Sequence, residues 1–290
     1  SILSNEAKVL FALINAYLQY DQPIVTDDLN LPKSPLSSLA KVLIHLKVNQ
    51  NESAISALES IITYQSKYPL LNYLMGEARI RSGEYAKARK AYFKFINTSK
   101  NLANIKDSYF KIGLTYHLEE DLDSARYFMK MAAEKGKEIS EADQYASKVI
   151  NSNRLPHRLI VKIRFLTDGG YYADAEKLVE RFAKASFQNF DDRLEFQYRS
   201  ARLRHKQTKA EDAIVYYKEV VDLSPKKGYY FAPNACLQLG YLYRSRKDYL
   251  NAGYYFKKVN EFSDYEYKNS IDRKARSALL NLPQPPSNVR

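Results

Sequence analysis

An alanine recurs along this 290-residue chain at Ala54, Ala88, Ala125, Ala175, Ala213 and Ala252, at intervals of 34, 37, 50, 38 and 39 residues. A repeat of this length constrains the fold strongly. A unit so short cannot bury its own apolar face and must stack on its neighbours. Three stretches repeat more than the alanine. Residues 69–76 end in Gly76 and are followed by Arg79, Ala88, Tyr92 and Phe95; residues 106–113 end in Gly113 and are followed by Tyr116, Ala125, Met129 and Ala132. Residues 236–240 end in Gly240 and are followed by Tyr243, Ala252, Phe256 and Val259. In each copy the glycine stands twelve residues before the alanine. Residues 194–206 and 210–222 are too long for strands and space their apolar residues at helical intervals. Pro32, Pro35, Pro69, Pro156, Pro225 and Pro233 fall where helices start or just before. The chain therefore reads as all-α, built from helix pairs.

These residues resemble the tetratricopeptide repeat (TPR) superfamily in divergent form, over roughly residues 35–262. The resemblance implies a TPR-like superhelix, a right-handed solenoid of antiparallel helix pairs. In that family helix A carries a small residue at its eighth position and helix B an alanine at the twentieth, so that the two helices approach closely. Large residues at positions 24 and 27 fill the inter-repeat core. Two units depart from the pattern: Val42 and Ile163 stand where the small residue is expected. They imply wider helix pairs or a shifted register. The 50-residue interval implies an extra helix near 140–152, with Ser140 and Glu141 at its start.

Three regions are expected. Residues 1–34 form a capping helix and linker, with Leu10, Phe11, Ile14 and Tyr17 inward on a helix over 6–20 and a polar connection over 21–35. Residues 35–268 form about six hairpins. Residues 269–290 form a closing helix and a disordered tail after Pro283. The first twenty residues include Glu6 and Lys8 at helical spacing and do not read as a secretory leader; no run is long enough to span a membrane. A cytoplasmic setting and, after removal of an upstream leader, a periplasmic or membrane-associated one both fit.

Catalytic signals are poor. His45, His117, His157 and His205 have no helical partner spacing, and no phosphate-cradling glycine loop occurs. One cysteine, Cys236, rules out an intrachain disulfide or a Cys-built metal site, and it falls on the core side of a helix A. Glu119, Glu120, Asp121 and Asp123 fall in a hairpin turn and read as a solvated carboxylate cluster. No catalytic group, cofactor or metal is expected. The 25 tyrosines include the doublets 171–172, 216–217, 229–230 and 254–255, each expected to turn one ring to the core and one to the surface.

Charge is uneven: residues 1–145 carry a net +1 and residues 146–290 a net +11. In the TPR family the inner face is lined by positions 2, 5, 9, 12 and 13 of helix A. Carried over, this nominates Tyr73, Glu77, Phe110, Lys111, Arg164, Tyr198, Arg199, Arg202, Lys206, Tyr241 and Arg244 as a partner-binding groove. The family's carboxylate clamp is missing: Tyr73, Phe110, Tyr198 and Leu237 occupy its lysine position, and Glu77, Leu114, Arg202 and Tyr241 its asparagine position. The lining runs from aromatic to basic. It suits an extended protein segment with an acidic part, held by a non-catalytic scaffold or adaptor. A polyanion-binding module (acidic polysaccharide or nucleic acid), a docking domain of a larger enzyme, and a homodimer formed through an end helix are the alternatives.

Overall fold

The structure, a computed structural model, describes residues 2–18, 34–100, 102–152, 154–182, 187 and 189–283. All regular elements there are helices, and the one extended pairing among the described residues is an isolated bridge between Lys227 and Ser263. The fold is all-α and TPR-like, as expected. The chain divides into two compact units, Ser1–Leu178 and Val179–Arg290.

Unit 1 holds α1 (Ile2–Leu18), α2 (Pro35–Lys47), α3 (Asn51–Ser60), α4 (Leu70–Arg81), α5 (Tyr85–Thr98), α6 (Ile105–Leu118), α7 (Leu122–Lys135), α8 (Glu141–Asn151) and α9 (Arg158–Gly169). Helix α10 (Tyr172–Phe182) crosses the boundary. Unit 2 continues with α11 (Phe190–Lys206), α12 (Ala210–Leu223), α13 (Phe231–Ser245), α14 (Tyr249–Lys258) and α15 (Lys268–Leu280). Within unit 1, α2 packs on α3, α4 on α5 and α6 on α7; within unit 2, α11 packs on α12, α13 on α14, and α15 closes onto α13 and α14.

The recurrent small residues have a direct steric cause. All six alanines of the repeat are 0% exposed. A Cβ at Gly76 would lie 2.5 Å from the ring of Tyr92, and one at Gly240 would lie 2.3 Å from that of Phe256. At Gly113 it would meet the Met129 side chain at 3.1 Å. Each glycine thus makes room for the large helix B residue sixteen positions later.

A second regularity lies in the turns. Five residues before each alanine the backbone is left-handed, at Asn49, Gly83, Glu120, Gly170, Thr208 and Lys247, with φ between 62° and 87°. One turn geometry therefore closes all six hairpins, including those lacking the small residue of helix A. Only two of the six turns use glycine, the residue that adopts this conformation without strain.

Two expectations at the N-terminal side change. Helix α1 begins at Ile2, and it buries Val9 and Ala16 against α2, whereas Leu10, Phe11 and Ile14 are more than half exposed. Apolar residues occupy more than one face of α1, so helical spacing alone picked the wrong one. The side chain of Tyr17 and the connection over residues 19–33 lie outside the described residues, as does the tail after Pro283. The extra helix is present as α8. Its cap is a reciprocal box between Ser140 and Asp143; Glu141 has no part in it.

Candidate partner-binding surfaces

Unit 1 turns its nominated groove residues into a closed polar network. Tyr73 on α4 donates to Asp107 Oδ2 on α6 at 2.7 Å, and Tyr92 on α5 donates to Glu77 on α4 at 2.6 Å. The ammonium of Lys111 sits between the carboxylates, 2.5 Å from Glu77 and 2.8 Å from Asp107. Burial raises the Asp107 carboxyl, although Lys111 beside it pulls the other way. Glu77 feels the same burial, but Lys111 and Arg81 outweigh it and hold its carboxyl below the usual range. Burial would also strip the proton from Lys111; its two carboxylates prevail and raise its pKa. Phe110 is buried and meets Tyr145 of α8 edge-on at 6.1 Å. Tyr73, Phe110, Glu77 and Lys111 therefore tie α4, α5, α6 and α8 together and do not line an open groove.

Helix α9 closes this side. It packs on α4 and α6 and buries Ile160, Val161, Ile163 and Phe165. At its start His117 of α6 bonds Pro156 O at 2.9 Å, and Arg158 pairs with Glu120 at 2.5 Å. At its end Gly170 comes so close to the α2–α3 turn that a Cβ would stand 2.1 Å from Asn49 O. Asn49 donates to Asp168 O at 2.8 Å, and Arg81 reaches Leu46 O and Asp168 O at 3.2 and 3.3 Å. Arg164 lies on this helix, donating to Tyr145 OH at 3.2 Å and lying over the Phe165 ring. The buried carboxylate of Asp143 accepts from Asn104 N and Asp107 N, capping α6 as well as its own helix.

Unit 2 treats the same register differently. Tyr198 and Tyr241 are buried; Tyr198 packs among Tyr217, Tyr230 and Phe231. Arg199 is buried too, paired with Glu195 at 2.7 Å and donating to Tyr230 OH at 2.8 Å. Arg202, Lys206 and Arg244 stay half-buried at the ends of α11 and α13, with Arg244 over the Tyr241 ring. Burial lowers the neighbouring His205 imidazole to about 4, and the charges of Lys206 and Arg202 add to the effect. The tyrosine doublets divide as expected at three places: Tyr217, Tyr230 and Tyr255 turn inward relative to Tyr216, Tyr229 and Tyr254.

The other candidate chemistry is structural. Cys236 is fully buried, and burial pushes its thiol up to about 12. In the α6–α7 turn Glu119 pairs with Arg89, Glu120 with Arg158, and Asp121 caps α7 through Ser124 N. Among the described residues no group of three His, Cys, Asp or Glu side chains could hold a metal ion. No described helix is long and apolar enough to cross a membrane.

One surface had no signal in the sequence. Where the starts of α2 and α4 meet the ends of α3 and α5, a cleft of about 720 Å³ opens in unit 1. Leu36, Tyr64, Tyr68 and Leu70 line it while remaining 40–49% exposed.

Residues 39–94, which span α2 to α5, match the tetratricopeptide repeat family model. The glycine, alanine and turn pattern of that stretch continues through both units. Residues 39–94 are tetratricopeptide-repeat sequence, and the all-helical fold around them is TPR-like. A crystal structure of the P58(IPK) TPR domain is matched over 94% of this chain and 78% of that one, at 18% identity and a TM-score of 0.35. No curated protein matches the chain. TPR repeats generally mediate protein–protein interaction, and their fold is typically non-catalytic. In this chain the positions that correspond to the carboxylate-clamp lysine, Tyr73, Phe110, Tyr198 and Leu237, are all buried.

Proposed function

We propose that this TPR-like protein is a non-catalytic scaffold that holds an acidic protein segment against the basic ends of α11 and α13. The observation that carries the reading is the pair Arg202 and Lys206, half-buried on α11, whose charges add to the depression of the His205 imidazole; Arg244 on α13 is half-buried too and stands at a position the family resemblance assigns to the inner face. Such a surface steers and orients an acidic partner more than it grips it, and the effect weakens with salt. Arg199 is not part of the contact surface, because its guanidinium is committed to Glu195 and Tyr230 inside the unit.

The test uses the native chain and an Arg202→Glu/Lys206→Glu/Arg244→Glu variant as baits for binding partners at about 0.15 M salt. A protein retained by the native chain and lost by the variant supports the scaffold reading. Recovery of nucleic acid or polysaccharide, released steeply as salt rises, would replace it with polyanion binding. Equal capture by both baits would remove the basic face from the account.

A further inference from the structure

We propose that the cleft at the start of α2 and α4 is a second docking site, for a short protein segment whose large apolar side chains are flanked by carboxylates. It lies within unit 1 and does not depend on the basic face of unit 2. Its volume, about 720 Å³, falls within the span of roughly 300–1,000 Å³ typical of sites that enclose a ligand. Two leucines and two tyrosines, Leu36, Leu70, Tyr64 and Tyr68, stand at its mouth between 40% and 49% exposed. Contiguous apolar exposure of this kind marks an interaction site, whereas single exposed residues do not.

The wall is already built. Lys94 donates to Gln65 Oε1 at 2.8 Å, Asn72 donates to Gln65 O at 3.4 Å, and Tyr68 N donates to Tyr64 O at 2.9 Å. Gln65 is buried by these bonds, which hold the 64–68 segment that carries both tyrosines. Binding therefore orders little of the protein itself, a condition that favours affinity.

Two features choose the occupant. Among the described residues, the only charged side chains lining the cleft are Lys67 and Lys100, and no carboxylate lines it. Charge complementarity thus calls for carboxylates beside the apolar groups. The walls also carry Ser66, Thr98 and Asn104. Their hydroxyl and amide groups can bond a peptide backbone, whereas a lipid chain would cover them without offering partners.

The experiment presents the full chain to a phage-displayed library of random dodecapeptides. Enriched peptides should pair leucine or aromatic residues with aspartate or glutamate. Synthesised and titrated by fluorescence anisotropy, they should lose about tenfold or more in affinity on Tyr68→Ser/Leu70→Ser. Lys67→Glu/Lys100→Glu should weaken binding and flatten its salt dependence. All four residues are exposed, so far-UV melting should match the native chain and separate loss of binding from loss of fold. The Arg202→Glu/Lys206→Glu/Arg244→Glu variant should bind these peptides as the native chain does. Peptides that ignore the cleft substitutions but fail on the unit 2 variant would overturn this site and leave the unit 2 reading standing. Displacement of the peptides by oleate would reassign the cleft to an amphiphile. A concentration-dependent dimer abolished by Tyr68→Ser/Leu70→Ser would reassign it to a second copy of the chain.

Discussion

Of the nominated inner-face residues, α4 and α6 tie Tyr73, Glu77, Phe110 and Lys111 into a largely buried network, whereas α11 and α13 bury Tyr198, Arg199 and Tyr241 but leave Arg202, Lys206 and Arg244, nearer their C-terminal ends, half exposed. The difference does not come from the repeat, since both units share its alanines and its left-handed turns. It comes from what lies on the inner face. In unit 1, α9 packs over α4 and α6, and each charge beneath it needs an internal partner. Lys111 has two and Arg81 two carbonyls. The inner-face positions are therefore closed over in unit 1 and partly exposed in unit 2.

The largest expected contrast comes from removing one charge in each unit. Lys111→Met leaves the buried Asp107 carboxylate, and the half-buried Glu77 beside it, without their shared cation and should cost about 3–5 kcal/mol. Arg202→Gln in unit 2, at a half-buried helix position, should cost less, about 1 kcal/mol. Urea unfolding followed by far-UV circular dichroism measures both.

Next come the helix contacts. Gly240→Ala drives a Cβ into the Phe256 ring, which is fully buried and cannot turn aside, and should cost about 1–3 kcal/mol. Gly113→Ala meets the flexible end of Met129 at 3.1 Å and the backbone oxygen of Ala125 at 3.2 Å, both wider approaches than at Gly240, and should cost about 1 kcal/mol less. Equal losses in the two variants would show that the facing side chain does not set the spacing.

The two units should also respond to opposite ends of the pH scale. His205 is held at about 4 when folded against 6.5 when free, so its contribution is complete above 6.5 and is lost as pH falls towards about 4. His205→Gln should flatten the melting temperature across that window. Lys111 has a raised pKa, so its contribution is complete below 10.5 and lost only as pH rises through the folded value. Lys111→Met should reduce the alkaline loss, and because Lys111 also draws the Glu77 and Asp107 carboxyls down, it should alter the acid limb as well.

The smallest effect expected is a gain. Thr208 is β-branched and left-handed, with φ 62°. Thr208→Gly should relieve the strain and stabilise the chain by up to about 1 kcal/mol, read as a shift in denaturant midpoint. Gly83→Ala, at the equivalent turn of unit 1, should do the reverse.

The repeat was legible because its signals are local and steric. Ala88, Gly76 and Tyr92 announce a close helix pair wherever they recur, and Pro35 marks the start of α2. The turn residue was legible only at Gly83 and Gly170; Glu120, Thr208 and Lys247 adopt the same backbone without any compositional mark. The groove was misread for a different reason. Counting positions along helix A tells which residues face inward, but not what covers them. Nothing in residues 158–169 states that α9 will lie on α4 and α6, a contact made over some 87 residues between Arg81 and Asp168. The same limit applies to the double cap by Asp143 and to the cleft at Leu36 and Leu70, which is assembled from four separate elements.

The most direct test is calorimetric unfolding of two variants beside the native chain: Lys111→Met, and Arg202→Gln/Lys206→Gln/Arg244→Gln. The single substitution should lower the melting temperature by several degrees, and the triple one should lower it by less. A triple variant that melts lower than Lys111→Met would contradict this, placing structural charge in unit 2 and a dispensable network in unit 1.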